Sequence, residues 1–382
     1  MGLVIERASL QNALALVQGI VERRTTVPIL GHVLLEPVEA GLQLSATDLE
    51  VGIRTQVACR SAKDKSMTLN ARKLFEIVHE AEGDEVRLEA LDNEWVELKC
   101  GRAKFKMMGL DPRSFPAMPS QSVAKPEAGA VKRGAKADLK IEQRKLAEMI
   151  DKTIFAVSPD EARYNLSGVY VESPGPGVVR MVATDGHRLS MVDREVKAND
   201  FRMEAGAIIP RKGLAEIRKL LDPESDAEVT LTIDGQLAYL RRDPTEVSMR
   251  LVEGEFPDYR GVIPKKSRHQ VPVKRDTLFA AIKRAAIFSN ERYHGVKFAL
   301  SAGTMTVSST SPEMGEASEA LDVEFTGEEF AIGFNANYLQ QVLGVIPQGT
   351  DVTLGLTDDV SPGVVASESD KQFTYVVMPM RL

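Results

Sequence analysis

Three residue types that carry out chemistry in many enzymes stand close together in the stretch MVATDGHRLSMVD, residues 181–193. Asp185 and His187 would suit general base catalysis, because a carboxylate beside an imidazole helps the ring to accept a proton. Catalysis also needs a nucleophile or a metal, and neither is signalled nearby. The chain contains no HExxH, GxSxG or glycine-rich phosphate loop, and its five histidines do not cluster in sequence. A polar turn with a binding role is the alternative to an active site.

Length and composition indicate a soluble protein of two or three domains. The chain has 382 residues, of which 43% are hydrophobic and 27% charged. No apolar run approaches the roughly 20 residues that a membrane-spanning helix requires. The opening residues MGLVIERASL lack a basic region followed by an apolar core, so we expect no secretory signal and a cytoplasmic location.

Cysteine usage and net charge narrow the function classes further. Cys59 and Cys100 show no metal-type spacing, which favours two reduced, packed thiols and predicts neither a metal site nor a cofactor. With 48 basic and 55 acidic residues the net charge is -7. This balance argues against a protein that coats nucleic acid by bulk attraction, and any contact with DNA requires local positive charge.

A threefold internal repeat organises the chain. Amphipathic helices are predicted at residues 7–21, 143–154 and 274–288, because their apolar residues recur at steps of three and four. Each is followed by a strand, a turn and a second strand that reaches Thr47, Thr184 or Thr310. A further short helix then follows in NARKLFEIVHEA, IPRKGLAEIRKLL and FNANYLQQVLGVI, with alternating strands behind it.

The repeat predicts an α+β fold of three domains, each with two helices packed on antiparallel sheets. We place the domains at 1–119, 139–262 and 263–382. Residues 120–138 are rich in Ala, Lys, Gly and Pro and are predicted to form a flexible linker. Basic residues recur in five of the six helices, while acidic residues are denser in the strand regions, so a basic helical surface suited to nucleic acid is expected.

Seven phrases, spread over all three repeats, carry a resemblance to a known family. They are VPILGHVLLE, TDLEV, ATDGHRLS, FPDYRGVIP, RAAIFSNER, GFNANYL and YVVMPMRL, in the order in which the family has them. On these residues the chain resembles the bacterial DNA sliding clamp, the beta subunit of the replicative DNA polymerase, DNA polymerase III. The resemblance covers the whole chain apart from the linker.

The resemblance implies a processivity factor rather than an enzyme. Family members close as a head-to-tail homodimer into a ring, with helices lining the hole and sheets forming the outer wall, and an ATP-driven clamp loader opens the ring. Double-stranded DNA is then held by enclosure, without sequence preference. Arg24 and Tyr164 match positions that contact DNA in the family. Asn165 stands where the family often has an aromatic residue.

The resemblance also gives the opening stretch a role in a peptide-binding cleft between the second and third domains. Met, Leu, Val and Pro side chains there would accept short hydrophobic peptides. Such peptides come, in the family, from the polymerase alpha subunit, the clamp loader, other polymerases and mismatch-repair or ligation factors. A basic residue common before Val262 is replaced by Gly261. The residues that match the cleft are Leu166, Thr184, Gly186, His187, Arg188, Leu189, Pro257, Val262, Tyr338, Val376, Met378, Pro379, Met380 and Arg381.

Ring closure separates this interpretation from a three-domain adaptor that binds proteins but never encircles DNA. Ile287 and Phe288 match apolar contacts across the family's subunit interface, and Phe105 and Met107 match the opposing side. The alternative is that these four side chains fill their own domain cores. A mass measurement in solution separates the two interpretations, since a monomer at micromolar concentration would count against the clamp.

Overall fold

The computed structural model describes residues 2–21, 26–39, 41–60, 65–119, 136–197 and 201–381. Arg24 and residues 120–135 of the predicted linker lie outside these ranges. The chain divides into two compact units, Met1–Gln143 with Lys212–Leu251 and Arg144–Arg211 with Val252–Leu382. The predicted central domain, residues 139–262, therefore contributes to both units.

The described residues form six α-helices of ten or eleven residues, one at each position that the repeat predicts. Their apolar residues point into the core, as for Leu10, Leu14 and Val17 of the first helix, which are all fully buried. No described helix reaches the length and apolarity that crossing a membrane would require. The helices are α1 (Arg7–Val17), α2 (Ala71–Glu80), α3 (Gln143–Thr153), α4 (Arg211–Leu220), α5 (Arg275–Ala285) and α6 (Ala336–Val345).

Local sequence sets the helix ends. The side chains of Asn70 and Asn335 cap α2 and α6 by accepting hydrogen bonds from backbone N–H groups of the first turn. Helix α1 ends at Val17, four residues earlier than predicted, because the chain tightens at Gly19 into bonds that reach back three residues. Helix α5 likewise ends at Ala285 and continues as a 3₁₀ turn, Ala286–Phe288.

The first unit contains two antiparallel sheets. A five-stranded sheet has the order β5-β1-β7-β8-β9, and an eight-stranded sheet has the order β10-β15-β16-β17-β4-β3-β2-β6. Strands in the first predicted domain are β1 (Leu3–Glu6), β2 (His32–Val38), β3 (Gly41–Thr47), β4 (Val51–Val57), β5 (Cys59–Arg60), β6 (Met67–Asn70), β7 (Glu85–Ala90), β8 (Trp95–Cys100) and β9 (Ala103–Met108).

The second unit repeats this plan with an eight-stranded sheet and a four-stranded sheet, β14-β11-β12-β13-β25-β24-β23-β18 and β21-β20-β19-β22.

The strands of the central and third predicted domains have the following bounds. Central-domain strands are β10 (Ala137–Glu142), β11 (Gly168–Gly175), β12 (Val178–Thr184), β13 (Arg188–Glu195), β14 (Ala207–Pro210), β15 (Glu228–Asp234), β16 (Leu237–Arg242) and β17 (Thr245–Arg250). The remaining strands are β18 (His269–Lys274), β19 (Gly295–Ser301), β20 (Thr304–Ser311), β21 (Gly315–Asp322), β22 (Phe330–Asn335), β23 (Asp351–Leu356), β24 (Gly363–Ser367) and β25 (Asp370–Val377).

Each long sheet joins two predicted domains through one strand pair. Strand β4 pairs with β17 in the first unit, and β13 pairs with β25 in the second. Continuous hydrogen bonding across a domain junction explains why the compact units do not follow the sequence repeats. Strand β10 begins at Ala137, so the last two residues of the predicted linker pair with β15, and Asp138 accepts a hydrogen bond from Thr232.

Candidate protein-binding cleft, subunit surfaces and DNA contacts

The Thr184–Arg188 turn uses its polar side chains to shape its own backbone. The Thr184 hydroxyl donates to the carbonyl of Arg188 (2.5 Å) and accepts from the N–H of Gly186 (3.1 Å). Asp185 Oδ1 accepts from the N–H groups of His187 (2.9 Å) and Arg188 (3.1 Å). Gly186 has φ +87°, a left-handed conformation that glycine adopts without strain.

The first repeat contains the same turn. The Thr47 hydroxyl donates to the carbonyl of Val51 (3.1 Å) and accepts from the N–H of Leu49 (3.0 Å), and Leu49 has φ +80°. Asp48 Oδ1 accepts from the N–H groups of Glu50 (2.9 Å) and Val51 (2.7 Å). A threonine and an aspartate that recur with the same bonds are the signature of a structural turn. The carboxylate of Asp185 therefore belongs to the fold.

Arg188 connects this turn to the third repeat through hydrogen bonds. The side chain is buried, and its Nε donates to Asp185 Oδ2 at 3.0 Å. Its two Nη groups donate to the carbonyl of Phe155 and to the side chain of Gln341 on α6. The guanidinium also stacks on Tyr338, 4.3 Å from the ring centroid. Phe155 and Gln341 were not predicted, since neither is near the turn in sequence.

The C-terminal segment lies against the turn through backbone bonds. The N–H of Met378 donates to the carbonyl of His187 (2.8 Å), and the N–H of Met380 donates to the carbonyl of Gly333 (2.8 Å). The imidazole of His187 is exposed, as is Met378. These bonds hold the methionine-rich tail beside the turn, as the predicted cleft requires.

An apolar cluster lies directly under the turn. Leu189 and Val376 face each other across the β13–β25 pair and pack with Val182 and Tyr259, all four being buried. Phe256 packs against this cluster. Strand pairing thus brings together residues that are almost 190 positions apart in sequence.

The predicted cleft residues divide by exposure into a buried base and an open rim. Leu166 closes a 3₁₀ segment that is tied to the turn, because Arg163 of that segment donates to the carbonyl of Asp185 (3.0 Å). Gly261 has open space around its Cα. Leu166, Thr184, Arg188, Leu189 and Val376 are buried, Tyr338, Pro379 and Met380 are half-buried, and Gly186, His187, Pro257, Val262, Met378 and Arg381 are exposed.

The predicted subunit residues of the first domain lie on an open sheet edge. Phe105 and Met107 belong to β9, the last strand of the five-stranded sheet, and both are half-buried. Phe105 also lines an open groove of about 980 Å³ between this edge and the end of α2. Ile77 and Ala81 contribute its apolar wall.

The opposing pair lies beside a second open edge, in the other unit. Ile287 exposes 68% of its surface, the largest fraction of any large apolar side chain in the described part of the chain. Phe288 is half-buried and lies close to Gly315, the first residue of edge strand β21. Ile287 does not fill its own domain core, which excludes that alternative for this residue.

The predicted basic helical surface is only partly present. Lys152 and Arg275 are buried; Lys152 pairs with Glu148 and Asp370, and Arg275 pairs with Asp276 and donates to a helix carbonyl. Neither side chain can therefore contribute to the expected basic helical surface. Each long side chain folds back into polar partners that the helix pattern does not reveal.

One of the two predicted DNA contacts can be located. Tyr164 exposes 59% of its surface, whereas Arg24 lies outside the described residues. The neighbouring Asn165 donates its side-chain amide to the carbonyl of Glu255 (3.1 Å). Asn165 thus has a structural role where the family often has an aromatic residue.

The described residues include both cysteines and many side chains of the types that bind metal ions. These residues contain no group of three or more His, Cys, Asp or Glu side chains arranged to hold a metal ion. Cys59 is half-buried, Cys100 is buried, and both are free thiols.

Comparisons with known proteins cover the chain from end to end. Models of the N-terminal, central and C-terminal domains of the DNA polymerase III beta subunit match residues 1–119, 140–258 and 260–381. The beta sliding clamps of Pseudomonas aeruginosa and Caulobacter vibrioides are 36% and 34% identical to the chain, over 100% of both sequences in each case. The crystal structure of a Pseudomonas aeruginosa DnaN sliding clamp bound to griselimycin superimposes with a TM-score of 0.89 at 35% identity, again over 100% of both chains.

These matches confirm the recognised family and the fold class of three clamp domains of mixed helix and sheet. The turn that resembled an active site is part of that fold. The chain belongs, over its full length, to the DNA polymerase III beta subunit family, the beta sliding clamps, which are processivity factors of the replicative polymerase.

Proposed function

We propose that this chain closes with a second copy, head to tail, into a ring around duplex DNA, and that it tethers polymerases and repair factors through its cleft. The full-length family match carries this proposal. The domain limits 1–119, 139–262 and 263–382 are part of it. The chain acts in the cytoplasm, as a non-catalytic accessory subunit.

Ring closure is supported by two unlike sheet edges. An edge strand offers a row of unpaired backbone groups to another chain, and β9 and β21 are both edges. Strand β9 carries the exposed Lys104 and Lys106, while Glu316 is exposed on β21. Edges of opposite charge favour the joining of unlike ends, which is the requirement for a head-to-tail ring.

The apolar contacts of the interface would come from one exposed side chain, Ile287, and from the open groove that Phe105 lines. Ile287 projects beside the β21 edge, and the groove beside Phe105 lies at the β9 edge. A partner's Ile287 entering this groove would bury an isoleucine that otherwise meets water. Phe288 and Met107 complete the apolar contact on the two sides.

Enclosure explains how a chain with net charge -7 can act on DNA. A closed ring stays on the duplex without a strong grip, so few phosphate contacts are needed and sliding is not hindered. Arg24 and the exposed Tyr164 would supply local contacts to the DNA.

The cleft formed by the turn, the tail and the Leu189–Val376 pair is suited to short hydrophobic peptides. Its base is apolar and buried, while Val262 and Met378 remain exposed at its rim. Met side chains adapt to differently shaped ligands, which suits a site shared by the polymerase alpha subunit, the clamp loader, other polymerases and mismatch-repair or ligation factors.

Catalysis by Asp185 and His187 is not favoured. The Asp185 carboxylate accepts two backbone N–H groups and the Arg188 guanidinium, so its oxygens are already engaged. We therefore expect His187→Ala to keep the fold and the dimer, with at most a modest loss of peptide affinity. A loss of the dimer in this variant would contradict the assignment of His187 to the cleft rim.

Truncation of the tail tests the cleft. Removal of residues 378–382 should leave the dimer mass unchanged, because the tail follows the last strand of the sheet. Affinity for a fluorescein-labelled peptide copied from the polymerase III alpha subunit should fall by at least about tenfold, since an anchor pocket contributes on the order of 2 kcal/mol or more. An unchanged affinity would contradict the cleft assignment.

Imaging of the assembly tests the ring. Negative-stain electron microscopy should show a dimer with a central hole wide enough for a duplex, and the solution mass should be twice 41.9 kDa. A three-domain adaptor would instead be a monomer at micromolar concentration, with no central opening.

A further inference from the structure

A partly buried polar network lies behind one wall of the cleft, the Pro257–Val262 segment. Arg180 on β12 forms a two-pronged pair with Asp193, both bonds measuring 2.7 Å, and its Nη1 donates to the hydroxyl of Tyr259 (3.1 Å). That hydroxyl donates to Glu172 Oε1 at 2.5 Å. Burial, followed by the bond to Glu172, raises the pKa of Tyr259 to about 12, so the hydroxyl remains a donor near neutral pH.

The network fixes the Pro257–Val262 segment, which forms this wall, at two successive residues, Tyr259 and Arg260. Arg260 donates two hydrogen bonds from Nη2 to the carboxylate of Glu172, at 2.9 and 2.8 Å, and its guanidinium stacks 5.0 Å from the Tyr259 ring. Pro257 and Val262, two predicted rim residues, flank these anchors in sequence. Glu172 thus accepts three hydrogen bonds from the wall segment.

The equivalent positions of the first repeat carry different side chains, and its FPAM segment is held instead by Arg54 of β4, which donates to the carbonyls of Met118 (2.6 Å) and Pro119 (3.0 Å). The pairing of β2, β3 and β4 places Glu36 opposite Gln43 and Gln43 opposite Gln56. These three residues stand at the positions that Glu172, Arg180 and Asp193 occupy in β11, β12 and β13. Gln43 stands at the position of Arg180, and its amide donates to Glu36 at 3.3 Å. The phrase FPAM (residues 115–118) corresponds to FPDY (residues 256–259), so Met118 stands at the position of Tyr259. Methionine has no hydroxyl to donate.

The two domain junctions also differ in the residues that form the base of the cleft. The β4–β17 pair places Gly52 opposite Ser248, where the β13–β25 pair places Leu189 opposite Val376. The Met118 methyl group would lie 2.5 Å from a Cβ built on Gly52, so Met118 already fills the space of that missing side chain. The first junction therefore shares the turn and the strand register but has no free apolar base.

We propose that Glu172 and Arg180 are positioning residues of the peptide cleft, which hold Tyr259 and the Pro257–Val262 wall against the Leu189–Val376 base. This inference rests on the proposed peptide-binding function. It assigns the fixed wall of the second junction to the charged network, whereas at the first junction Gln43 and Gln56 line a pocket of about 290 Å³ together with Arg54 and Glu246. Neither residue contacts the peptide; Glu172 acts through Tyr259 and Arg260, and Arg180 acts through Tyr259.

Substitutions that remove single polar groups test the inference. Tyr259→Phe deletes one oxygen and keeps the ring packed on Leu189, and Glu172→Gln removes the charge at constant shape. Each should weaken binding of the labelled polymerase peptide by about five- to tenfold, chiefly through faster dissociation, with the dimer mass unchanged. Tyr239→Phe is the matched control, since Tyr239 is equally buried but belongs to the other unit.

The double variant separates positioning from a general loss of stability. Because Glu172→Gln already removes the charge that faces both Tyr259 and Arg260, adding Tyr259→Phe should weaken binding little further than Glu172→Gln alone. Binding within twofold of wild type in both single variants, or fully additive losses, would overturn the inference. If wild type binds and tail truncation abolishes binding while both single variants bind normally, the inference fails and the proposed function stands. If wild type does not bind the peptide, both fail.

Discussion

Ile287 should matter for association and hardly at all for folding, which makes Ile287→Ala the sharpest perturbation of the proposed subunit interface. The side chain exposes 68% of its surface within its own chain, so shortening it leaves no cavity in the core. Its contribution appears only when a partner covers it. A dimerisation defect with an intact fold is therefore the expected phenotype.

The magnitude follows from the area that the partner would cover. Full burial of an isoleucine contributes about 1.5–3 kcal/mol, and truncation to alanine should remove roughly 1.5 kcal/mol at each interface. A ring of two chains joined head to tail has two identical interfaces, so both lose this amount. The combined loss of about 3 kcal/mol corresponds to a dimer dissociation constant raised roughly a hundredfold.

Sedimentation equilibrium over a range of protein concentrations measures this constant directly. Val360→Ala is the matched control, because Val360 exposes 64% of its surface in the same unit, between β23 and β24 and away from the β21 edge. A dissociation constant that stays within threefold of wild type for Ile287→Ala, or an equal effect in the control, would refute the assigned interface.

Two further predictions concern buried charge in the second unit. Arg188→Ala leaves Asp185 buried without its cation and should lower the free energy of unfolding by about 3 kcal/mol in urea titrations, as loss of one partner of a buried pair does; a change below about 1 kcal/mol would contradict the central role of Arg188. Asp370→Asn removes one acceptor of Lys152 and Arg194 and should cost on the order of 2 kcal/mol at pH 7, since Glu148 remains as a second acceptor. Burial alone would raise the pKa of Asp370, but hydrogen bonds from Arg194 and Lys152 outweigh it and hold the pKa below its ordinary value. That stabilisation is present above the carboxyl's unfolded pKa of about 4 and is lost as pH falls through the lower folded pKa, so the melting difference between variant and wild type should shrink from about pH 5 to pH 3. A difference independent of pH would exclude an ionised Asp370 from the stabilising pair.

Much of the fold was predictable because local rules determine it. Steps of three and four located α1, α3 and α5, and the internal repeat located the other three helices. Asparagine residues at the start of α2 and α6 act as the caps that their type suggests. The repeated Thr–Asp turn was visible as TDLEV and TDGHR before its bonds were known. Repetition of a phrase in two domains is evidence for structure, because two active sites would rarely share it.

What sequence could not provide were contacts between distant segments. Lys152 lies 218 positions from Asp370, and no local pattern indicates that it is buried with that partner. Arg180 and Tyr259 were equally invisible, since their bonds depend on the register of β11, β12 and β13 and on a loop 79 residues away. Side chains that meet across strands are fixed by tertiary pairing, which no local pattern encodes.

The distribution of charge also differs from the sequence expectation. Basic residues in helices were expected to form one nucleic-acid surface, yet Lys212 pairs with Asp48, Lys219 pairs with Glu216 and Arg284 pairs with Glu319. Paired cations contribute less to phosphate binding than free ones. A protein that keeps DNA by enclosure tolerates this neutralisation, whereas one that relies on attraction would not.

Retention on circular and linear DNA tests the enclosure most directly. The protein, placed on nicked circular duplex by a clamp loader and then moved to 1 M salt, should remain bound, because a closed ring needs no phosphate contacts. A single restriction cut in the same circle should release it, since the ring slides off the free ends. Equal retention on cut and uncut DNA, or loss from both at high salt, would contradict the account.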